Sequence, residues 1–542
     1  MSLVESFPSA DQPRSTQIEI LQGIDSAIQR GTKFIVVQAP TGVGKSHISA
    51  TLANYSRPPA SYFSQLANKH RLFAKDSDGC YAHQDIYKTI DTFGAAVLTC
   101  SKALQDQYMR LFSDASILKG RSNYQCDLND FFTCDFAPCH LAPGQVDKCN
   151  AVNRCAYFNA RRDTLSSKLG VYNYSSFLSL PPYLRKKQFL VCDEASEIED
   201  ELVKHFACHL NYKSLRFADL GIDPLRTTDK NKALQWLTDV FEVCKTEHNS
   251  IVRSLAGLKN NRRKMSSEHN RAKIYKTAAE QMSRVLQSWY MTEYIIEPTS
   301  VDVRITPVNI DLFAQQIFAP CETVVLLSGT IIDHKTFTKT LGITDYEFIE
   351  VESEFDSSKS PIYCLDKVSL NYNNMQKELP KIIEYVKAVC NKYPNDKGII
   401  HTHTHAITQQ VGRAVEGSRF LVRDVGTTNE ALIESHKMSD VSTVLISPSL
   451  GFGTDLADNF GRFSIIVKTP YLSLGDKRVK LLAQRDPKWY QMKALVSLVQ
   501  MCGRTTRSKE DYSDTFILDG AAVNLIRKNT GFLPKYFLER LH

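Results

Sequence analysis

The stretch Ala39-Pro-Thr-Gly-Val-Gly-Lys-Ser46 constrains this chain more than any other. It follows the β-branched run FIVVQA (34–39) and opens the helix-patterned segment SHISATLANYS (46–56). Strand, glycine loop and helix, in that order, is the setting in which backbone N–H groups converge on phosphate oxygens. Thr41, Gly42 and Gly44 form the turn. Lys45 brings a point charge to the β- and γ-phosphates, Ser46 offers a hydroxyl to Mg²⁺, and the helix N-terminus adds its dipole. The loop begins with Ala39 where the general pattern has Gly.

The surroundings read as parallel α/β structure. AAVLTC (95–100) and QFLVCDEA (188–195) are short apolar runs suited to buried strands. The second closes on Asp193-Glu194. Beside a phosphate loop, such a pair divides its work, with Asp193 holding Mg²⁺ and Glu194 orienting the attacking water. The α/β texture returns at TVVLLSGT (323–330). A second set of strand–helix units then runs through GIIHTHT (398–404), STVLISPS (442–449), FSIIVKTP (463–470) and DTFILDG (514–520). Near the end stands Gln500-Met-Cys-Gly-Arg504-Thr-Thr-Arg507. On a helical turn Arg504 and Arg507 share a face, and two guanidinium forks suit the charge that develops on a γ-phosphate.

With 542 residues the chain exceeds one core and suits two to four domains. Its hydrophobic fraction of 43% and charged fraction of 23% exclude a disordered chain. No apolar run reaches the roughly 18–20 residues of a bilayer span, and no signal-peptide pattern opens the chain. No membrane role and a cytoplasmic or nuclear location are the expectation. The net charge of +7 is compatible with a polyanionic partner but does not single one out.

Five of the fourteen cysteines fall in one short stretch, Cys126, Cys134, Cys139, Cys149 and Cys155. Without an export signal, thiols or metal ligands fit better than disulfides. The spacing lacks the paired C-x₂-C knuckles of common zinc sites, and thiolates also hold iron–sulfur clusters. Residues 200–300 are mostly helical in pattern with no strong strand. Within them KNNRRKMSSEHNRAKIYK (259–276) concentrates Lys and Arg against a single Glu, as a phosphate-binding face or a solvated helix would. Tyr124, Phe131, Phe132, Tyr157 and Phe158 are candidates for base stacking or for packing.

Taken in order, APTGVGKS, DEAS, LSGT, a GxGxD segment and QxxGRxxR resemble the superfamily 2 helicases, and more narrowly the XPD/Rad3/DinG branch. Further pieces of the resemblance are Phe7-Pro8 with Arg14 and Gln17, Gly120–Cys126, Asn173-Tyr174, Ser353-Glu-Phe-Asp356, Ile400-His-Thr402, Ser447–Leu456 and Trp489-Tyr490. The resemblance implies two RecA-like parallel-sheet motor domains, with an iron–sulfur insertion and a helical arch-like insertion in the first. The expected boundaries are 1–119, 161–204 and 301–345 for the first motor, 120–160 for the cluster domain, 205–300 for the arch and 346–542 for the second motor. It implies ATP held by Arg14, Gln17, Thr41, Gly42, Gly44, Lys45, Ser46, Asp455 and Gln500. Lys45, Asp193, Glu194, Arg504 and Arg507 would serve catalysis, with Ser46 and Asp193 on Mg²⁺. Ser328, Gly329 and Thr330 would couple nucleotide to DNA, and Gly453 with Asp455 would sense both.

A [4Fe–4S] cluster on Cys126, Cys139, Cys149 and Cys155 follows from the same resemblance, with Cys134 as the alternative to Cys139. So does 5′→3′ movement on single-stranded or forked DNA, bound without sequence preference by a monomer. The residues themselves leave two rivals open, a helicase acting on RNA or RNA–DNA hybrids and an ATP-switched DNA-binding or remodelling factor. One departure bears on this choice. The family has His after Asp-Glu-Ala, whereas this chain has Ser196, which predicts altered coupling rather than loss of hydrolysis.

Overall fold

The structure, a computed structural model, describes residues 2–8, 12–56, 93–126, 133–137, 155–255, 262–371, 373–415, 417–424, 426–448, 456, 458–505 and 510–542. Its frame is two parallel sheets. The first holds seven strands: β1 (Phe34–Gln38), β2 (Ala95–Thr99), β3 (Ala115–Leu118), β4 (Leu169–Asn173), β5 (Phe189–Asp193), β9 (Thr323–Ser328) and β10 (Glu347–Glu350). They lie in the order β10-β1-β9-β5-β2-β4-β3. The expected switch to the second motor at residue 346 falls short of β10, which still pairs with β1.

Alternation along each strand explains why both faces are covered. Ile35 and Val37 point into one core with Ile20, Leu21 and Ile24 of helix α1 (Ser15–Gln29). Val36, Leu98, Leu190 and Leu326 point into the other. A strand buried on both faces reads as a continuous apolar run, which is how FIVVQ and TVVLLS announced themselves. Register then sets the site. Gln38 lies opposite Ser328, and Asp193 opposite Leu327, so β1, β9 and β5 end side by side.

The second sheet has the order β11-β16-β15-β12-β14-β13. Its strands are β11 (Ile362–Cys364), β12 (Gly398–His401), β13 (Phe420–Val422), β14 (Val444–Ser447), β15 (Phe463–Ile466) and β16 (Asp514–Ile517). Ile400, Ile446 and Ile465 face one core, and Ile466 and Ile517 face another. The chain thus folds as two RecA-like α/β halves.

Between β5 and β9 the first half carries a long helical hairpin, Lys230–Leu255 and Arg262–Ser288. It stands on a three-stranded antiparallel sheet of β6 (Cys208–Asn211), β7 (Tyr294–Pro298) and β8 (Asp302–Pro307), in the order β6-β8-β7. The sequence shows no strong strand there, because only one face of this sheet is buried. In β8 Val303, Ile305 and Pro307 are buried while the residues between them are not, and no apolar run results. Among the described residues no helix is long and apolar enough to cross a membrane.

Candidate nucleotide cleft

The glycine loop follows β1 and leads into helix α2 (Lys45–Tyr55). Gly42 and Gly44 have φ values of 88° and 84°, a left-handed region open to glycine and costly for other residues. Gly44 is also crowded. A Cβ there would lie 2.6 Å from Gln17 Nε2. Arg14 Nη1 donates to the Gly42 carbonyl at 2.7 Å, and Gln17 Nε2 to the Gly44 carbonyl at 3.4 Å. Gln17 Oε1 in turn accepts from the Arg14 backbone N–H at 2.9 Å. With these carbonyls held from outside, the N–H side of the loop is left for an anion. Phe7 stacks on His47 of α2, ring centroids 5.7 Å apart.

Asp193 ends β5 and is buried, and Glu194 follows at φ 54°. Lys45 Nζ lies 3.6 Å from Glu194 Oε1. Burial and then the Glu194 charge push the Asp193 carboxyl up to about 6, against Lys45 and a hydrogen bond from Tyr108, which act the other way. The Tyr108 hydroxyl donates to Asp193 Oδ2 at 3.0 Å.

Ser196 lies at a junction. Its Oγ is 3.1 Å from Ser328 Oγ and accepts from Gln500 Nε2 at 3.2 Å. Gln500 Nε2 also donates to Thr330 Oγ1 at 3.0 Å. Gln500 sits on the helix Pro487–Cys502 of the second half, so this one amide ties both halves together across the cleft. Arg504 follows that helix, is mostly buried and lines the same cleft as Thr41, Glu194 and Gly329. Burial, and secondarily the Arg504 charge, hold the His401 imidazole down at about 3, so it is neutral at pH 7. Arg507, Gly453 and Asp455 lie outside the described residues.

Besides Tyr108, three contributors escaped the sequence reading. Gln38, at the end of β1, accepts the backbone N–H groups of Ile331 and Ile332 at 2.8 Å each and so fixes the turn after Thr330. The Tyr536 hydroxyl donates to the Gly329 carbonyl at 2.8 Å. Arg540 donates from Nε to the Ser360 carbonyl at 2.6 Å and from Nη2 to the Cys502 carbonyl at 3.0 Å. No local sequence signal marks Tyr536 or Arg540, because their partners are distant backbone carbonyls. Gln38 carried a weak signal as a polar residue closing a buried strand.

Residues 386–535 match the family described as helicase C-terminal domain. None of the curated proteins matches this sequence. Among solved structures, an XPD helicase superposes with a TM-score of 0.61 at 16% identity, covering 96% of this chain and 98% of that one. An XPD in its apo form gives 0.54 at 14% identity, over 93% and 96% of the two chains. An XPD protein from S. tokodaii gives 0.53 at 13% identity, over 96% and 98%. The chain has the XPD helicase fold.

In an XPD fold the remaining candidates fall into place unequally. The basic run lies on the second helix of the hairpin. Residues 259–261 lie outside the described residues. Farther along, Arg271 pairs with Glu268 at 2.8 Å, Lys276 with Glu280 at 3.9 Å and Lys273 with Asp135 at 2.5 Å. Lys273 also stands over the Phe136 ring, 4.1 Å from its centroid, so the cysteine-bearing segment docks on the hairpin.

Of the five clustered cysteines, Cys139 and Cys149 lie outside the described residues, as do Phe131 and Phe132. Cys134 and Cys155 are buried and hydrogen-bonded to each other, and Arg121 Nη1 donates to Cys134 Sγ at 3.5 Å. The Cys155 contact, then burial, push the Cys134 thiol well up. Cys126 packs apart from them, with Phe136 and Ala137. Among the described residues no three potential ligands converge on a metal position. Tyr124 and Tyr157 pack edge to face at 5.6 Å, Tyr157 meets Phe158 likewise at 5.7 Å, and Arg121 covers the Tyr157 ring at 4.1 Å. These three rings serve the packing of the segment.

Proposed function

We propose that this chain is an ATP-driven helicase that moves 5′→3′ along single-stranded DNA. One observation carries most of the weight: Gln500 of the second half hydrogen-bonds Ser196 and Thr330 of the first, beside a cleft lined by Thr41, Glu194 and Arg504. A contact that joins the ends of three motifs across a hinge is what converts nucleotide state into relative motion of two halves.

Lys45 and Arg504 would neutralise the terminal phosphates, and Glu194 would orient the water. Ser46, and Asp193 held by the Tyr108 hydroxyl, would be the two hard oxygen donors to Mg²⁺. The metal would supply charge neutralisation at the β- and γ-phosphates. The motif resemblance supports DNA rather than RNA, and the 5′→3′ direction. All motifs lie on one chain, which supports a monomer.

A [4Fe–4S] cluster belongs to the same reading, with Cys126, Cys149 and Cys155 as ligands and Cys139 or Cys134 as the fourth. The Cys134–Cys155 contact supports Cys134. Iron and sulfide counts on anaerobically purified Cys134→Ser and Cys139→Ser proteins decide between them. The motor itself is tested by strand separation and DNA-stimulated ATP hydrolysis, with Glu194→Gln as the control that binds nucleotide without turning it over. Hydrolysis without strand separation would favour the ATP-switched remodelling factor, and equal action on RNA would favour the hybrid-directed rival.

A further inference from the structure

One polar side chain beneath the cleft belongs to none of the motifs. Tyr108 lies on the helix Lys102–Leu111, which follows β2, and is fully buried. Its ring packs against Phe112 with centroids 6.1 Å apart. Its hydroxyl donates to Asp193 Oδ2 at 3.0 Å and sits 3.0 Å from Ser49 Oγ.

Proton counting assigns the roles. A phenol has one proton, and a carboxylate can only accept, so that proton goes to Asp193. Ser49 must then donate to the phenol oxygen. For Ser49 the alternative acceptor, the Lys45 carbonyl, is farther away at 3.5 Å. The phenol holds one oxygen of Asp193, and the Glu194 N–H holds the other at 3.1 Å, so the carboxylate is fixed from two sides at the floor of the cleft. A buried tyrosine needs some partner for its hydroxyl. Here one partner is Asp193, a residue expected to bind the cation, reached from a separate element.

Resting on the nucleotide reading above, we propose that Tyr108 is a positioning residue for the magnesium ion, orienting the Asp193 carboxylate through its hydroxyl. Outer-shell partners of this kind change metal affinity by roughly 10–100-fold when removed.

The test compares the full-length protein with Tyr108→Phe, which keeps the ring and its packing. A fluorescent ATP analogue is bound first in EDTA and then with rising Mg²⁺, and Mn²⁺ binding to the nucleotide complex is followed by electron paramagnetic resonance. Tyr108→Phe is expected to bind the analogue without metal within about twofold of the parent and to need about tenfold more Mg²⁺ or Mn²⁺ for half-saturation. Equal metal midpoints in the two proteins would overturn the proposal. Loss of metal-free binding in the variant would also overturn it, by assigning the hydroxyl to the fold. A parent protein whose nucleotide binding ignores Mg²⁺ would remove the nucleotide reading itself, a separate failure visible before any variant is made.

Discussion

Ser196 has two partners, Ser328 Oγ and Gln500 Nε2, so it reaches both the turn after β9 and the second half of the molecule. A Ser196→Ala substitution leaves both without this contact. A net hydrogen bond is worth about 1 kcal/mol, or about fivefold in a rate. We expect ATP hydrolysis without DNA to fall about fivefold or less, and the stimulation by DNA to fall further, as steady-state assays on the two proteins would read. Asp193 gives a pH prediction. Its carboxyl takes a proton at about 6 when no metal is bound. Protons then compete with Mg²⁺, and the apparent Mg²⁺ affinity should drop about tenfold from pH 7 to pH 5. A flat dependence, measured by nucleotide binding at fixed ionic strength, would place the cation elsewhere.

Much of this site was legible before the fold was known. Lys45, Asp193, Glu194 and Gln500 are local patterns, each a polar end to an apolar run or a helix, and local patterns survive in sequence. Tyr108, Gln38, Tyr536 and Arg540 act on groups from 38 to 294 residues away, and nothing in their neighbourhoods records those partners. The register of β1, β9 and β5 brings the distant pieces together, and register is a tertiary property.

At the scale of elements, the helix Lys535–Leu538 and the residues after it form a strap over the cleft. Arg540 caps the helix Pro487–Cys502 through the Cys502 carbonyl and holds Ser360 with a second bond, so it fixes the backbone just before Arg504. The chain then adds to β11, with Ile362 N–H donating to the Arg540 carbonyl at 2.6 Å and His542 N–H to the Ile362 carbonyl at 2.9 Å. Arg540→Gln leaves two buried carbonyls short of a charged donor, each worth about 1.5–3 kcal/mol. Destabilisation of about 3 kcal/mol, seen as an earlier urea transition of the second half, is expected. An unchanged transition would show that the strap is not part of that fold. The sheet β6-β8-β7 makes the complementary point. Its one-sided burial hid it within a stretch that otherwise reads as helix, whereas the doubly buried strands of both motors were plain.

Across the whole molecule the two halves meet at a buried ionic cluster as well as at the cleft. Glu199 accepts from Arg478 Nη2 at 2.7 Å and Trp489 Nε1 at 3.1 Å, and Lys493 Nζ lies 3.4 Å from it. Arg478 also donates from Nε to the Pro307 and Val308 carbonyls. Removing one partner of a buried pair costs about 3–5 kcal/mol, because the other charge is left without compensation. Glu199→Gln should therefore loosen the contact between the halves. A wider nucleotide-free molecule by small-angle scattering and a raised KM for ATP are expected, and an unchanged scattering profile would mean that the halves are held elsewhere.

As proposed above, one chain couples ATP turnover to movement on a DNA strand. It is tested most directly by mixing the anaerobically purified protein with ATP, Mg²⁺ and duplexes bearing either a 5′ or a 3′ single-stranded tail, with Glu194→Gln alongside. The account predicts strand separation of the 5′-tailed duplex, ATP hydrolysis stimulated by single strands, and loss of both in the variant. ATP turnover indifferent to DNA, with neither duplex opened, would contradict it.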